Sequence, residues 1–171
     1  ATDGRHVVAM FGSEGIYCYD VKGNLVWKKA LGVIHAGKHN NPEYTWGTAS
    51  SPVLYRGMGI VLCDSLEGGY VSALDVTSGR EVWRTKRDAN PSWSTPAIHD
   101  GADRAELVIN AAPYIQGYDP ATGKELWRLG PSTTNTTPTP IFGEGLIFVT
   151  NGYNPIKPIY AVVPGSRGDL T

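Results

Sequence analysis

Apolar positions along this chain fall in short runs broken by Gly, Asp, Asn and Ser, and no long stretch free of Gly or Pro keeps a helical spacing. Such runs predict β-strands. In the first part of the chain they are Arg5 to Phe11, Ile16 to Asp20 and Asn24 to Lys29. A second set follows at Ser51 to Tyr55, Gly59 to Asp64, Tyr70 to Asp75 and Arg80 to Thr85. Four short strands joined by tight turns predict an antiparallel meander with little room for a βαβ unit.

The pattern repeats. Asp75 to Asp119, Trp83 to Trp127, Pro52 to Pro96 and Pro96 to Pro140 are each 44 residues apart. The strings Tyr19 to Trp27, Ala73 to Trp83 and Gly117 to Trp127 all carry an Asp, a turn with Gly, and a Trp four residues after the Gly. A weaker copy at Tyr160 to Gly165 has Val163 in place of the Asp. From Asp20 to Asp75 the interval is 55, which places an insertion of eleven residues near Val33 to Trp46. Four strands in a unit of this period describe a β-propeller blade, so the expected fold is all-β, a propeller of four-stranded antiparallel blades. Residues 1–171 then form a partial propeller of about 3.5 to 4 blades. Its units are 1–32 without an innermost strand, 47–88, 91–130, and 135–171 with an incomplete outer strand, while 33–46 is an inserted loop.

The repeated Asp20, Asp75, Asp119, Gly79, Gly123, Trp27, Trp83 and Trp127 are read as structural. Gly79 and Gly123 suit turns that need a positive φ, and the Asp before each turn can accept hydrogen bonds from turn amides. Two residues before the Asp stand Cys18, Ala73, Gly117 and Ala161, all small. Cys18 and Cys63 are therefore expected to be buried packing residues. The innermost strands would bring Thr48, Ser50, Ser94, Thr95, Thr137 and Thr139 towards a central channel.

In a meander the longer, irregular connections gather on one face, and here these are Val33 to Trp46, Asp64 to Gly69, Ala111 to Pro113 and Asn151 to Pro158. Rigid scaffolds place binding on such loops, so this face is the expected working surface. Its candidate ligand residues are His35, His39, Trp46, Glu67, Trp93 and Asn151. His35 and His39 are four apart with no helix to align them, which argues for a binding loop over a metal site. Trp46 and Trp93 each precede an innermost strand and suit either an aromatic rim for a planar ligand or a peptide, or burial between blades. Asp100 and Asp103 lie in a turn that loosely resembles calcium turns of some propellers, but it lacks the alternating carboxylates of an established calcium loop. It is read as a solvated turn, and no metal site is expected.

Composition narrows the class. With 171 residues, 41% hydrophobic, and a net charge of -1, the chain is neither disordered nor a nucleic-acid binder. No apolar run is long enough to span a membrane. The first residues, from Ala1, include neither a start Met nor a signal-peptide core, which suggests that the original N-terminus was removed or lies upstream.

The string at Ala73 to Trp83, with its variants at Cys18 to Trp27 and Gly117 to Trp127, resembles the tryptophan-docking repeat of quinoprotein-like propellers. That superfamily includes pyrroloquinoline-quinone (PQQ) dehydrogenases and BamB-like envelope lipoproteins. Ser92 to Pro96 and Gly117 to Gly123 look most like its PQQ-binding-like and BamB-like bacterial members. The resemblance implies that each Trp stacks on the neighbouring blade, and that the whole is a ring of seven or eight blades of which this chain supplies about half. The rest would come from missing sequence or from a second copy. A catalytic member would need calcium or a lanthanide held by carboxylates and an Asn, an Asp base, and commonly a vicinal Cys-Cys pair, and no such pair exists here. The preferred expectation is a noncatalytic binding or scaffolding module with a protein partner or extracytoplasmic ligand, periplasmic or extracellular, with no cofactor. The alternatives are part of a PQQ- and calcium-dependent dehydrogenase, or the sensor domain of a kinase.

Overall fold

The structure, a computed structural model, describes residues 1–37, 43, 46–65 and 68–171. Among these, short strands form four successive antiparallel sheets, as the alternation of apolar runs and turns requires. The first is β1 (His6–Met10), β2 (Ile16–Asp20) and β3 (Leu25–Lys29). In the second, β4 (Val53–Tyr55), β5 (Met58–Cys63), β6 (Gly69–Asp75) and β7 (Glu81–Arg87) pair in sequence order. The third contains β8 (Ala97–Asp100), β9 (Ala105–Ile109), β10 (Ile115–Tyr118) and β11 (Glu125–Leu129). β12 (Ile141–Gly143), β13 (Leu146–Thr150) and β14 (Ile159–Val162) make the fourth.

Successive sheets pack face to face, and three apolar clusters lie at the joints. Side chains alternate across a strand, so β5 serves two joints at once. Val61 and Cys63 pack towards the first sheet with Val8, Ile16 and Cys18, while Ile60 and Leu62 pack towards the third with Leu107, Ile109 and Tyr118. Val108, Ile115 and Trp127 meet Ile147, Val149 and Val162 at the last joint. On the fourth sheet Ile141 and Ile159 are 64% and 78% exposed, whereas Ile115 and Val71, the counterparts of Ile159 one and two repeats earlier, are buried in the joints.

The repeat is visible atom by atom. Asp75 Oδ1 accepts from the amides of Thr77 and Ser78 and from both hydroxyls, at 2.7 to 3.1 Å. Gly79, at φ +69°, closes that turn against the Trp27 ring: a Cβ there would stand 2.7 Å from the indole. Trp27 Nε1 donates to Val76 O at 2.8 Å, and Trp83 Nε1 reaches Pro120 O at 3.2 Å beside Gly123. Indole area is thus buried against the next turn with its one donor satisfied. Cys18 and Cys63 are buried free thiols, and desolvation pushes Cys63 up to about 11.

One strand lies where the sequence reading does not put it. β15 (Gly168–Asp169), expected within a fourth unit of 135–171, pairs in parallel with the outer edge of β11 and makes the third sheet five-stranded. The repeat's turn glycine is replaced here by Arg167, and the chain turns instead at Pro164–Gly165, with Gly165 at φ +91°. Crossing to β11 lets Leu170 N donate to Arg128 O at 2.9 Å and packs Leu170 onto the Trp127 cluster.

Candidate functional site

On the face of the irregular connections lies a groove of about 610 Å³. Its walls are Ser65 and Gly68 from the β5–β6 connection, Gly69 at the start of β6, Lys86 to Pro91 at the end of β7 and beyond, and Pro113 from the β9–β10 connection. Lys86 and Asp88 are exposed. Arg87 points the other way, because strand alternation turns it inward.

Below the walls, Arg87 Nε donates to Asp64 Oδ1 at 2.7 Å and Nη2 to Oδ2 at 3.3 Å, with both side chains fully buried. Arg87 Nη1 donates to the Tyr118 hydroxyl of the third sheet at 2.5 Å. Burial opposes the charge on Arg87, but Asp64 and Tyr118 outweigh it and hold the guanidinium pKa above its ordinary value. Burial likewise pushes the Tyr118 phenol up. A buried charge is stable only when paired, so this cluster ties the two groove walls and the third sheet into one geometry.

Next to it, the side chains of Asn110 and Asn151 exchange two hydrogen bonds at 2.9 and 3.1 Å. Asn151 Nδ2 also donates to Ser132 Oγ at 2.9 Å, and Asn110 Nδ2 to Pro138 O at 2.9 Å. Asn151 is 3% exposed, so this expected ligand residue clasps the third sheet to the fourth instead of facing solvent.

Trp46 and Trp93 do come together, edge to face, with centroids 5.8 Å apart. Trp93 Nε1 donates to Gly47 O at 3.0 Å, and Trp46 is 49% exposed. His35 is half-buried beside them, since Ala36 N donates to Trp46 O at 3.0 Å. His39 and Glu67 lie outside the described residues. Asp100 is on the opposite face in an exposed pair with Arg56 at 3.9 Å, and Asp103 borders a pocket of about 80 Å³ there.

The hydroxyls expected at a channel divide. Ser50 Oγ donates to Ser94 O at 2.7 Å and Ser94 Oγ to Pro138 O at 2.9 Å, so these two, both buried, stitch successive sheets at the repeat interval. Thr137 and Thr139 are exposed.

Among the described residues no three His, Cys, Asp or Glu side chains gather to hold a metal. The groove does not fit a calcium–quinone pair either. Its buried cation is already neutralised by Asp64, and Asp88 is the one carboxylate on its described wall.

Two features escaped sequence reading. The Arg87–Asp64 pair had a weak signal, an Asp directly after the apolar Ile60 to Cys63 run. Glu106, fully buried inside β9, accepts from Trp127 Nε1 and Gly165 N, both at 2.6 Å, and from Arg104 Nε at 3.2 Å. Its only signal was a carboxylate next to the apolar Leu107 to Ile109 run.

Solved structures share this architecture. BamB from Moraxella catarrhalis superposes with a TM-score of 0.58 at 19% identity, over 86% of this chain and 43% of that one. A quinohemoprotein alcohol dehydrogenase, ADHIIG from Pseudomonas putida HK5, gives a TM-score of 0.56 at 22% identity, over 75% of this chain and 19% of that one. The corresponding enzyme of Comamonas testosteroni gives 0.56 at 20%, over 75% and 20%. The chain thus spans less than half the length of each, and at these identities the likeness establishes the propeller fold. No curated protein matches the sequence. The family model of the outer membrane protein assembly factor BamB matches residues 1–154, so with this repeat and these sheets the chain belongs to the BamB family of PQQ-like β-propellers.

Proposed function

We propose that the chain is a noncatalytic binding and scaffolding module of the bacterial cell envelope, periplasmic or extracellular, and that it holds a protein partner on the face of the irregular connections. The observation that carries this reading is the groove between Ser65 and Pro113, whose walls rest on the buried Arg87–Asp64–Tyr118 cluster. A preformed polar groove on rigid strands binds without the ordering cost of mobile loops. Family membership supports the envelope, since the matched model describes an outer membrane assembly factor. No described helix is long and apolar enough to cross a membrane. The apolar outward face of the fourth sheet, with Ile141 and Ile159, supports further blades, from the same protein or a second copy, completing a ring.

A photo-crosslinking residue at Asp88 in the groove should trap a discrete partner in envelope extracts, while one at Lys124 on the opposite face should not. Equal trapping at both positions would defeat the assignment of the face. Adding PQQ and calcium should leave absorbance and melting temperature unmoved. A saturable shift with alcohol oxidation would establish the dehydrogenase reading instead.

A further inference from the structure

The third sheet shows what the outer edge of a sheet in this protein can accept. On β11 the carbonyl of Arg128 receives Leu170 N at 2.9 Å, the amide of Gly130 donates to Thr171 Oγ1 at 3.1 Å, and Arg128 stands in register with Asp169. The cation is held in place: Arg128 Nε donates to Glu125 Oε1 at 2.7 Å, and its guanidinium lies 5.2 Å from the Tyr114 ring centre.

One repeat earlier, β7 carries the same device, and among the described residues no strand pairs with its outer edge. It is the last strand of its sheet. Arg84 Nη2 donates to Glu81 Oε2 at 2.6 Å, and its guanidinium lies 3.9 Å from the Tyr70 ring centre. Register against the inner neighbour is the same, Ala73 opposite Trp83 and Gly117 opposite Trp127, each followed by a bulge. The Arg84 carbonyl and Lys86 amide therefore face outward, as those of Arg128 and Gly130 do. β3 lacks the device: Leu25 stands where Glu81 does, and no ring lies under Lys28 at the position of Tyr70.

We propose that the outer edge of β7 is a docking strand for an extended segment of a partner protein that carries a carboxylate in register with Arg84, added in parallel as β15 is added to β11. Open strand edges pair readily with extended chains, and basic side chains on an edge decide which chains are admitted. Arg84 and the exposed Lys86 repel another basic edge and favour a carboxylate in register with Arg84. This surface adjoins the groove, and Lys86 is common to both.

The test uses the full isotope-labelled chain and a synthetic peptide, Ser-Arg-Gly-Asp-Leu-Thr, with a second peptide bearing Lys in place of Asp. Saturable NMR shifts are expected at the amides of residues 82–87 and not at those of 25–29. The Lys peptide should bind about tenfold more weakly. Arg84→Glu should abolish the response with the remaining spectrum unchanged, and Arg84→Lys should restore part of it. Equal binding of the two peptides overturns the proposal. So do shifts confined to 127–130 or to the groove residues Ser65, Gly68 and 88–90, an absence of shifts, or concentration-dependent self-association in place of peptide binding.

Discussion

The joint between the second and third sheets and the joint between the third and fourth meet one requirement in two ways. At the former, Trp83 rests on the turn closed by Gly123 and gives its indole proton to Pro120 O at 3.2 Å. At the latter, Val163 and Arg167 occupy the places of Asp119 and Gly123, and the ring of Trp127 lies against its own neighbour Gly117. Its proton goes to Glu106 Oε2, while Oε1 of the same carboxylate takes the amide of Gly165. A single buried acid replaces the turn as the acceptor. What the joint conserves in physical terms is a satisfied indole and a filled interface, whichever element supplies the acceptor.

If that is right, the largest effect should come from the acid. Glu106→Leu takes their acceptor from Trp127 Nε1, Gly165 N and Arg104 Nε, and should cost about 3 kcal/mol by urea unfolding. A loss below about 1 kcal/mol would mean that the acid does not hold this joint. Gly123→Ala comes next. Its Cβ would fall 2.4 Å from Trp83 at a φ of +73°, and about 2 kcal/mol is expected. Gly165→Ala has the positive φ but open space around it, so about 1 kcal/mol should be lost. The reverse order would show that ring contact with the turn is not what fixes Gly123.

Trp83→Phe keeps most of the packing and forfeits the bond to Pro120 O, for a loss of about 1 kcal/mol. The smallest effect is one of pH. Hydrogen bonds from the Thr77 and Ser78 hydroxyls hold the exposed Asp75 carboxyl down at about 2. A depressed carboxyl stabilises the fold above its unfolded value of 3.8, and that contribution is lost as pH falls through about 2. Asp75→Asn should flatten the acid limb of the stability curve between these values, whereas Val163→Ala should leave that limb unchanged.

Much of this fold was legible because its signals are local. Asp75, Gly79 and Trp83 lie within one hairpin, so turn chemistry and strand alternation locate them without knowledge of the rest. The position of the groove was also legible, since loop length alone places it among the irregular connections. Asn151 was misjudged for a physical reason: an Asn in a loop looks solvated until the partner that buries it, Asn110, is known, and that partner lies 41 residues away. Ser50 and Ser94 present the same difficulty, because a hydroxyl near a channel and a hydroxyl bridging two sheets have identical local sequence.

The sequence by itself determined the period, the strands, the turns and the indole of each repeat, because hydrogen bonding within a hairpin and the period-two alternation of side chains act over a few residues. Only the tertiary structure decided where the buried polar groups find partners: Arg87 on Asp64 and Tyr118, Asn151 on Asn110, Trp127 on Glu106, and β15 on the edge of β11. Those choices depend on which sheets are brought face to face. A buried donor or charge must be satisfied by whatever acceptor that packing supplies, and distance along the chain does not enter.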